Sequence, residues 1–208
     1  MGDFKHKGSH VLLTEGKNDC HVIASLCMQY KIPKNFGLYD CGSDDKALKR
    51  LSALIAGSEP METIGIVLDA DNPNLRSKWE SLKSRLEKES YCLPDNPVLD
   101  GTIVISEGKP KIGIWLMPNN NADGMLEDFC HALVDKSVID FASECVKEAE
   151  NQQITTFIDN HRSKAIIHTF LAWQNEPGMP LGLAITAKTL DGSKPIAKQF
   201  VSFLENLF

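Results

Sequence analysis

Apolar runs alternate with amphipathic stretches along the first part of the chain. Three short apolar runs predict strands, near 10–15, 37–41 and 64–69. Three stretches with apolar residues at helical spacing predict the helices that follow them, near 18–30, 44–56 and 72–89. Asn72 is predicted to cap the third helix, with Pro73 in its first turn. This succession predicts an α/β fold in which right-handed crossovers make the strands parallel.

The rest of the chain follows a different pattern. Residues 102–106 and 111–116 predict two strands, and the sequence Glu107-Gly108-Lys109-Pro110 between them predicts a hairpin turn. Beyond this hairpin the pattern is mostly helical, with helices predicted near 125–134, 137–149, 154–173 and 194–207. The pattern thus predicts an α/β core over residues 1–135. A helical C-terminal extension, residues 136–208, is predicted to pack on that core as one compact unit.

Acidic residues stand at the ends of two predicted strands. Glu15 follows the first apolar run, and Asp69 and Asp71 end the third, two residues apart, so that on extended chain they project to one side. Parallel strands end at the same edge of a sheet, where open α/β folds bind ligands. Close carboxylates cannot all stay ionised without a cation, and oxygen-only ligands suit Mg²⁺ or Mn²⁺. We therefore expect Glu15, Asp69 and Asp71 to hold a divalent metal ion.

Asp19 and Glu127 are expected to contribute to a second metal ion. Each also has a structural alternative, because a carboxylate in the first turn of a helix complements the free backbone N–H groups there. Asp19 lies at the start of the first predicted helix. If Gly124 is the N-cap of a later helix, Glu127 falls at the third helical position, where a carboxylate faces the free N–H groups. The sequence leaves both roles open for these two residues.

Composition and charge limit the classes of function. The net charge of −6 argues against a protein whose whole surface grips nucleic acid, although it allows phosphate to be handled through a metal and a local basic strip. None of the six cysteines forms a C-x-x-C pair, so neither a zinc knuckle nor a thioredoxin-type site is predicted. No apolar run reaches the length of a membrane span, and residues 1–10 contain no apolar signal core. A cytoplasmic location is expected.

The acidic motifs resemble those of the TOPRIM domain, the catalytic module of topoisomerases, bacterial primases and the overcoming-lysogenization-defect (OLD) nucleases. That family places Glu-Gly after its first strand and Asp-x-Asp after its third, here Glu15-Gly16 and Asp69-Ala70-Asp71. Asp19 extends the first motif to Glu-Gly-x-x-Asp, which is more similar to the OLD-type nucleases than to the topoisomerases. Three further segments resemble the same nucleases: Met117-Pro118-Asn119, Gly124-Met125-Leu126-Glu127 and Arg162-Ser163-Lys164. Nearly the whole chain is similar to a small, standalone, TOPRIM-related family of prokaryotes.

The resemblance implies a Rossmann-like TOPRIM fold and a Mg²⁺- or Mn²⁺-dependent nuclease that cuts DNA or RNA. By the same resemblance Glu15 acts as a general acid or base, and Lys164 stabilises the negative charge that develops on the phosphoryl group. The residue pattern alone leaves Lys164 a second role, on a solvated basic helix face. The resemblance does not extend to the ATPase domain of the OLD nucleases or to the tyrosine region of the topoisomerases. Supercoil relaxation is therefore not expected. A protein partner that supplies ATPase or sensor function is expected.

Other polar residues near the predicted site also have alternative roles. Asn119 and Asp123 are candidates for phosphate or water-mediated metal contacts, but they also suit turns, since their side chains readily bond neighbouring backbone groups. His21 and His168 lack the partner spacing of a zinc site, and a place in or near the core is the alternative for His168.

Two alternatives to a nuclease remain open from the sequence. One is a module without catalytic activity of its own that binds metal or nucleotide only within a complex, which the acidic charge balance favours. The other is a protein-interaction subunit whose acidic edge is vestigial. Metal binding, nucleotide binding and cleavage distinguish the three.

Overall fold

A five-stranded sheet with the order β2-β1-β3-β5-β4 forms the centre of the molecule. The structure, a computed structural model, describes residues 8–58, 60–71 and 73–208. The strands are β1 (His10–Thr14), β2 (Gly37–Asp40), β3 (Thr63–Asp69), β4 (Thr102–Val104) and β5 (Lys111–Met117). Neighbouring strands are parallel except β4, which runs antiparallel to β5. The predicted α/β class, the mainly parallel sheet and the antiparallel β4–β5 pair are confirmed.

Helices flank this sheet and make the fold Rossmann-like. Those described are α1 (Lys17–Tyr30), α2 (Asp44–Ala56), α3 (Leu75–Lys88), α4 (Leu126–His131), α5 (Lys136–Asn151), α6 (Arg162–Ala172), α7 (Leu181–Thr186) and α8 (Pro195–Leu207). A short 3-10 helix, Asp159–His161, precedes α6. Within the described ranges, no helix combines the length and the apolar character that crossing a membrane requires.

Alternating residues of the strands divide the core into two layers. Leu12 and Val67 face the layer that contains α1, whereas Leu13 and Ile66 face the layer that contains α2 and α3. The helix α1 leads from β1 outward to β2, and α2 leads back past β1 to β3. Right-handed crossovers in opposite directions place these two helices on opposite faces of the sheet. The order in which successive strands are added to the sheet thus reverses between β1 and β3, and the carboxyl ends of these two strands flank a crevice of the kind that binds ligands.

The helices after residue 136 pack on the α1 side of the sheet. Val146 of α5, Ile167 of α6 and Phe200 of α8 lie in the same buried cluster as Trp115 of β5. The rings of Trp115 and Phe200 meet edge to face with their centroids 5.0 Å apart. Aromatic side chains contribute strongly to such a layer, because each buries roughly 150–250 Å² of surface. The sheet and the C-terminal helices therefore share one core, and the boundary at residue 135 stays a prediction.

The prediction of a helix near 154–173 is wrong for the first two turns of that range. The helix α5 ends at Asn151, Gln153 has a left-handed φ of 57°, and α6 begins only at Arg162. A left-handed residue turns the chain away from the helix axis, so the residues that follow it cannot extend α5 or begin α6 directly. The short helix α7 lies between the helices predicted near 154–173 and 194–207 and was not predicted.

The third helix begins later than predicted. Asn74 is its N-cap, and the Asn74 side chain accepts a hydrogen bond from the Ser77 N–H at 2.9 Å. Pro73 precedes the helix and does not lie in its first turn. The predicted cap, Asn72, lies outside the described residues.

Candidate functional site

The carboxyl ends of β1 and β3 and the starts of two helices bring four acidic side chains to one pocket. Glu15 directly follows β1, and Asp69 is the last residue of β3. Asp19 lies in the first turn of α1 and Glu127 in the first turn of α4. The pocket is open and has a volume of about 450 Å³. Its other lining residues are Gly16, Lys17, Asn18, Gly42, Ser43, Leu126 and Lys164.

Backbone N–H groups hold three of these carboxylates by one oxygen each. The Asp69 N–H donates to Glu15 Oε1 at 2.9 Å, and the Leu126 N–H donates to Asp69 Oδ1 at 2.9 Å. The Gly16 N–H donates to Asp19 Oδ2 at 3.2 Å. Within the described ranges, the second oxygen of each of the three carboxylates has no hydrogen bond. The acids are therefore oriented by the backbone, and each retains an oxygen that is available to a ligand.

Asp19 is the most deeply buried acid of the pocket. It is only 5 % exposed, and its Oδ1 has no hydrogen-bond partner in the part of the chain that the structure describes. A buried polar atom without a partner costs about 1–3 kcal/mol, and more if it is charged. A cation in the pocket offsets this cost. The donors present are carboxylate oxygens, which are the ligands that Mg²⁺ and Mn²⁺ prefer, so the chemistry of the pocket fits such an ion.

Burial raises the pKa of all four acids, and repulsion by other acids of the pocket adds to the rise at Asp19 and Asp69. Burial, followed by the charges of Asp19, Glu15 and Glu127, raises the pKa of Asp69 to about 9. Burial, reinforced by the Glu15 and Glu127 charges, raises the pKa of Asp19 to about 7 against opposing backbone hydrogen bonds. Burial also raises the pKa of Glu15 and of Glu127 above their usual value. Without a cation, the four groups are thus not all ionised at neutral pH.

Asp71 lies outside this pocket. The strand β3 ends at Asp69, so the side-chain alternation that was expected to set Asp71 beside it does not continue that far. Ala70 between them is fully buried, and its N–H donates to the Gly124 carbonyl at 2.7 Å. Among the causes that raise the pKa of Asp69, the charge of Asp71 contributes less than burial and the charges of Asp19, Glu15 and Glu127. Asp71 also raises the pKa of Glu15, so it lies near the pocket without lining it, and its metal-ligand role stays a prediction.

The acids line the pocket without converging on one point. Among residues 8–58, 60–71 and 73–208, no three or more His, Cys, Asp or Glu side chains form a group that could hold a metal ion as they stand. Five of the six residues predicted for the site nevertheless line the same pocket: Glu15, Asp19, Asp69, Glu127 and Lys164.

Lys164, from the first turn of α6, is the predicted cation of the site. Burial raises the pKa of Glu127, and the nearby Lys164 ammonium opposes that rise more than any other group does. Lys164 forms no ion pair with any other described residue. The charge of His168, one turn further along α6, acts on Glu127 in the same direction. Neither His168 nor His21 lines the pocket.

Lys78 is a buried cation near the site that the sequence analysis missed. It is 5 % exposed on α3, and its Nζ donates to Asp44 Oδ2 at 2.6 Å. Burial raises the pKa of Glu15, and the Lys78 charge partly opposes that rise. A signal was present in the sequence, because Lys78 occupies the same helical stripe as Leu75 and Leu82. A lysine at an apolar position of that kind points to a buried partner.

The start of α4 corrects the capping role considered for Glu127. Met125 and not Gly124 is the N-cap, so Glu127 is the second residue of the helix and Asp128 the third. It is Asp128 whose Oδ2 accepts the Met125 N–H, at 2.8 Å. Glu127 is therefore not the third-position acid and lines the pocket instead.

Asn119 and Asp123 make contacts that organise the chain. Asn119 Oδ1 accepts from the Asn121 and Ala122 N–H groups at 3.1 and 3.0 Å, which confirms the turn role considered for Asn119. Asp123 Oδ1 accepts from the Leu75 N–H at 2.7 Å, at the first residue of α3. Neither side chain lines the acidic pocket.

Comparison with families of known sequence gives a match over almost the whole chain. A family model described as "Protein of unknown function (DUF3226)" matches residues 9–208. Searches of curated proteins and of solved structures found no match. The matched region contains every residue that lines the acidic pocket. The chain therefore belongs to the DUF3226 family, whose description gives its function as unknown.

Proposed function

We propose that this protein is a divalent-metal-dependent phosphodiesterase that cuts DNA or RNA, with Mg²⁺ or Mn²⁺ as its cofactor. The observation that carries the proposal is Asp19, a buried acid with an unpartnered oxygen in a pocket lined by three further acids. Binding of a dication offsets the repulsion by neighbouring acids that raises the pKa of Asp19 and Asp69. The similarity of the Glu-Gly-x-x-Asp and Asp-x-Asp motifs to those of TOPRIM nucleases supports a phosphodiester as the substrate.

Glu15, Asp19, Asp69 and Glu127 are the residues that would hold the ion. When bound, Mg²⁺ or Mn²⁺ supplies Lewis-acid stabilisation of phosphate oxygens and lowers the pKa of a bound water. Because Mg²⁺ usually keeps several waters and takes only one or two carboxylates, it does not require a closed cage of side chains. That preference suits a pocket in which the acids line the wall without meeting.

Glu15 and Lys164 have the chemical properties that phosphodiester cleavage requires. The Asp69 N–H fixes one oxygen of Glu15, which leaves the other free to exchange a proton with a nucleophile or a leaving group. The raised pKa of Glu15, which results mainly from burial, brings its proton exchange closer to neutral pH. Lys164 offers a positive charge on the pocket wall to a phosphoryl group whose negative charge grows during the reaction.

The distribution of charge favours a nucleic acid that is bound at the pocket and not over an extended surface. The net charge is −6, and the cations that line the pocket are Lys17 and Lys164. A substrate gripped by so few lysines loses little affinity as salt rises, in contrast to a protein with an extended basic surface. We include in the proposal a protein partner that supplies further nucleic-acid contacts or an ATPase or sensor function.

Metal binding and cleavage test the proposal together. We expect calorimetry to detect Mg²⁺ or Mn²⁺ binding, and supercoiled plasmid or single-stranded RNA to be cut when the metal is present. Asp69→Asn should lose both, yet remain folded, because the amide oxygen of asparagine still accepts the Leu126 N–H. Asp140→Asn is the matched control, since Asp140 is exposed and paired with Lys136 on the surface. It should bind metal and cut as the unmodified protein does.

The two measurements separate the proposal from its alternative. If the unmodified protein binds neither Mg²⁺ nor Mn²⁺, the proposed metal-dependent function is contradicted. Metal binding with no cleavage of DNA or RNA, joined to thermal stabilisation by nucleotides, favours a module that binds metal or nucleotide within a complex. The acidic net charge of −6 is the observation that keeps this second function under test.

A further inference from the structure

Two side chains of α4 hold a single residue of α6. The Ser163 hydroxyl donates to Asp128 Oδ1 at 2.6 Å. His131 Nε2 lies 2.9 Å from the Ser163 carbonyl oxygen. A carbonyl oxygen only accepts, so Nε2 carries a proton and donates it. Ser163 is thus bound to α4 through both its side chain and its backbone.

The same aspartate also fixes the start of α4. Asp128 Oδ2 accepts from the Met125 N–H at 2.8 Å, which orders the turn that presents Glu127 to the pocket. The next N–H in this turn, that of Leu126, donates to Asp69 Oδ1 at 2.9 Å. The Asp128 carboxylate therefore links the first turn of α4 to the first turn of α6. The first of these turns carries Glu127 and binds Asp69, and the second carries Lys164.

We propose that Asp128, His131 and Ser163 form a clamp that sets the position of Lys164 relative to Glu127 in the pocket. Lys164 directly follows Ser163 and has no ion pair with any described side chain that would fix it independently. The place of its Cα atom, and hence the reach of its ammonium group, follows from the backbone that the clamp holds. The three residues are positioning residues, and the catalytic part of the inference rests on the proposed phosphodiesterase function.

Apolar packing alone does not locate this part of α6. The buried residues of the helix are Ile166, Ile167, Phe170 and Leu171, all beyond its first turn. The first turn contributes only the partly buried Ala165 to this core, and its other contacts are polar, those of Ser163 and an ion pair between Arg162 Nε and Glu150 Oε1 at 3.0 Å. Loss of the Ser163 contacts should therefore shift Lys164 while the rest of the helix stays packed.

Three variants test the clamp through turnover with metal and nucleic acid. Ser163→Ala removes the hydroxyl that binds Asp128, and we expect kcat to fall about tenfold with KM little changed, because small displacements of a catalytic group are costly. Ser163→Thr keeps a hydroxyl and should restore most of kcat. Thr169→Val is the matched control, because the Thr169 hydroxyl donates only to Ala165 O within α6, at 2.8 Å. The control should leave kcat and KM unchanged.

A second measurement needs no catalytic activity. Acylation of lysines by a limiting amount of an amine-reactive ester, quantified by peptide mass spectrometry, reports the accessibility of Lys164. We expect Ser163→Ala to raise the Lys164 rate severalfold relative to the exposed Lys188, and Ser163→Thr to return it to the original value. An unchanged Lys164 rate in folded Ser163→Ala overturns the clamp. A raised rate in a protein that cuts no nucleic acid upholds the clamp and contradicts the phosphodiesterase proposal alone.

Discussion

The first turns of α1 and α4 are built alike but use their acids differently. Asp19 and Asp128 are each the third residue of their helix, and each accepts a hydrogen bond from the backbone N–H of the N-cap residue. The other oxygen of Asp128 accepts the Ser163 hydroxyl, whereas that of Asp19 has no partner in the described chain. The same capping geometry thus yields a structural acid in one helix and an available acid in the other.

The difference lies in what surrounds the second oxygen. The Asp128 side chain is 29 % exposed and reaches a neighbouring helix. Asp19 is 5 % exposed and faces other carboxylates, whose charges add to burial in raising its pKa to about 7. Buried polar groups without partners are uncommon in native proteins and require an explanation. A ligand that binds at Asp19 is the explanation that also accounts for Glu15, Asp69 and Glu127.

The largest expected effect is on the affinity of the protein for metal, which should depend on Asp19 and not on Asp128. Asp19→Asn should weaken Mg²⁺ binding by about 100-fold, equivalent to roughly 2.7 kcal/mol, because a charged ligand oxygen is lost. Asp128→Asn should change it only slightly, since Asp128 does not line the pocket. Titration calorimetry on both variants measures the difference. Equal losses in the two variants would show that the comparison between the turns has no functional meaning.

Stability of the metal-free protein should fall as pH rises. The pKa values of Asp19 and Asp69 are raised to about 7 and about 9, so the folded protein binds more protons than the unfolded chain above the usual value of 3.8. Their contribution is complete below that value and is lost as pH rises through 7 and 9. We expect the free energy of unfolding to fall continuously between pH 5 and pH 9, the range in which the folded protein holds protons that the unfolded chain has already released.

Denaturant titrations with and without metal measure this effect. Saturating Mg²⁺ should remove most of the pH dependence, because the ion replaces the bound protons. Asp19→Asn should flatten the profile of the metal-free protein, whereas Asp128→Asn should leave its slope unchanged. A metal-free protein that becomes more stable toward alkaline pH contradicts the raised pKa values on which the comparison depends.

The sequence predicted which strand ends form the site better than it predicted the contacts of the individual side chains. The alternation of apolar strands and amphipathic helices was enough to predict that Glu15 and Asp69 meet, because crossover connections place parallel strand ends at one edge. The position of Asp71 depended on where β3 stops, and the strand ends at Asp69. The roles of Glu127 and Asp128 depended on which residue caps α4, a difference of one position that side-chain periodicity does not resolve.

Tertiary contacts between distant segments were beyond prediction for a different reason. Lys78 binds Asp44 of another helix, and Asp128 binds Ser163 of another, with no local sequence signal for either partner. These contacts depend on how the helices pack across the sheet. Charged residues at apolar helical positions, such as Lys78, are the signal that a search of the sequence for buried pairs should use.

Asp44 extends the comparison to the start of a third helix. Loss of its ion pair should have the smallest of the expected effects. Asp44 is the first residue of α2, and a hydrogen bond from Lys78 is the largest cause that lowers its pKa. Lys78→Met keeps an apolar side chain of similar length but removes the ammonium group. Asp44 is 41 % exposed, so water takes over part of the lost contact, and we expect a loss of about 1–2 kcal/mol in the free energy of unfolding.

Lys83→Met on the same helix is the matched control for Lys78→Met. Its partner, Asp95, is almost fully exposed, and exposed pairs contribute about 0–1 kcal/mol. Urea denaturation of both variants near neutral pH gives the comparison. A loss in Lys78→Met no larger than in Lys83→Met would place Asp44 with the solvated surface acids. A larger loss means that each of the three helix starts uses its acid differently: Asp44 for an ion pair, Asp128 for a contact between helices, and Asp19 for a ligand.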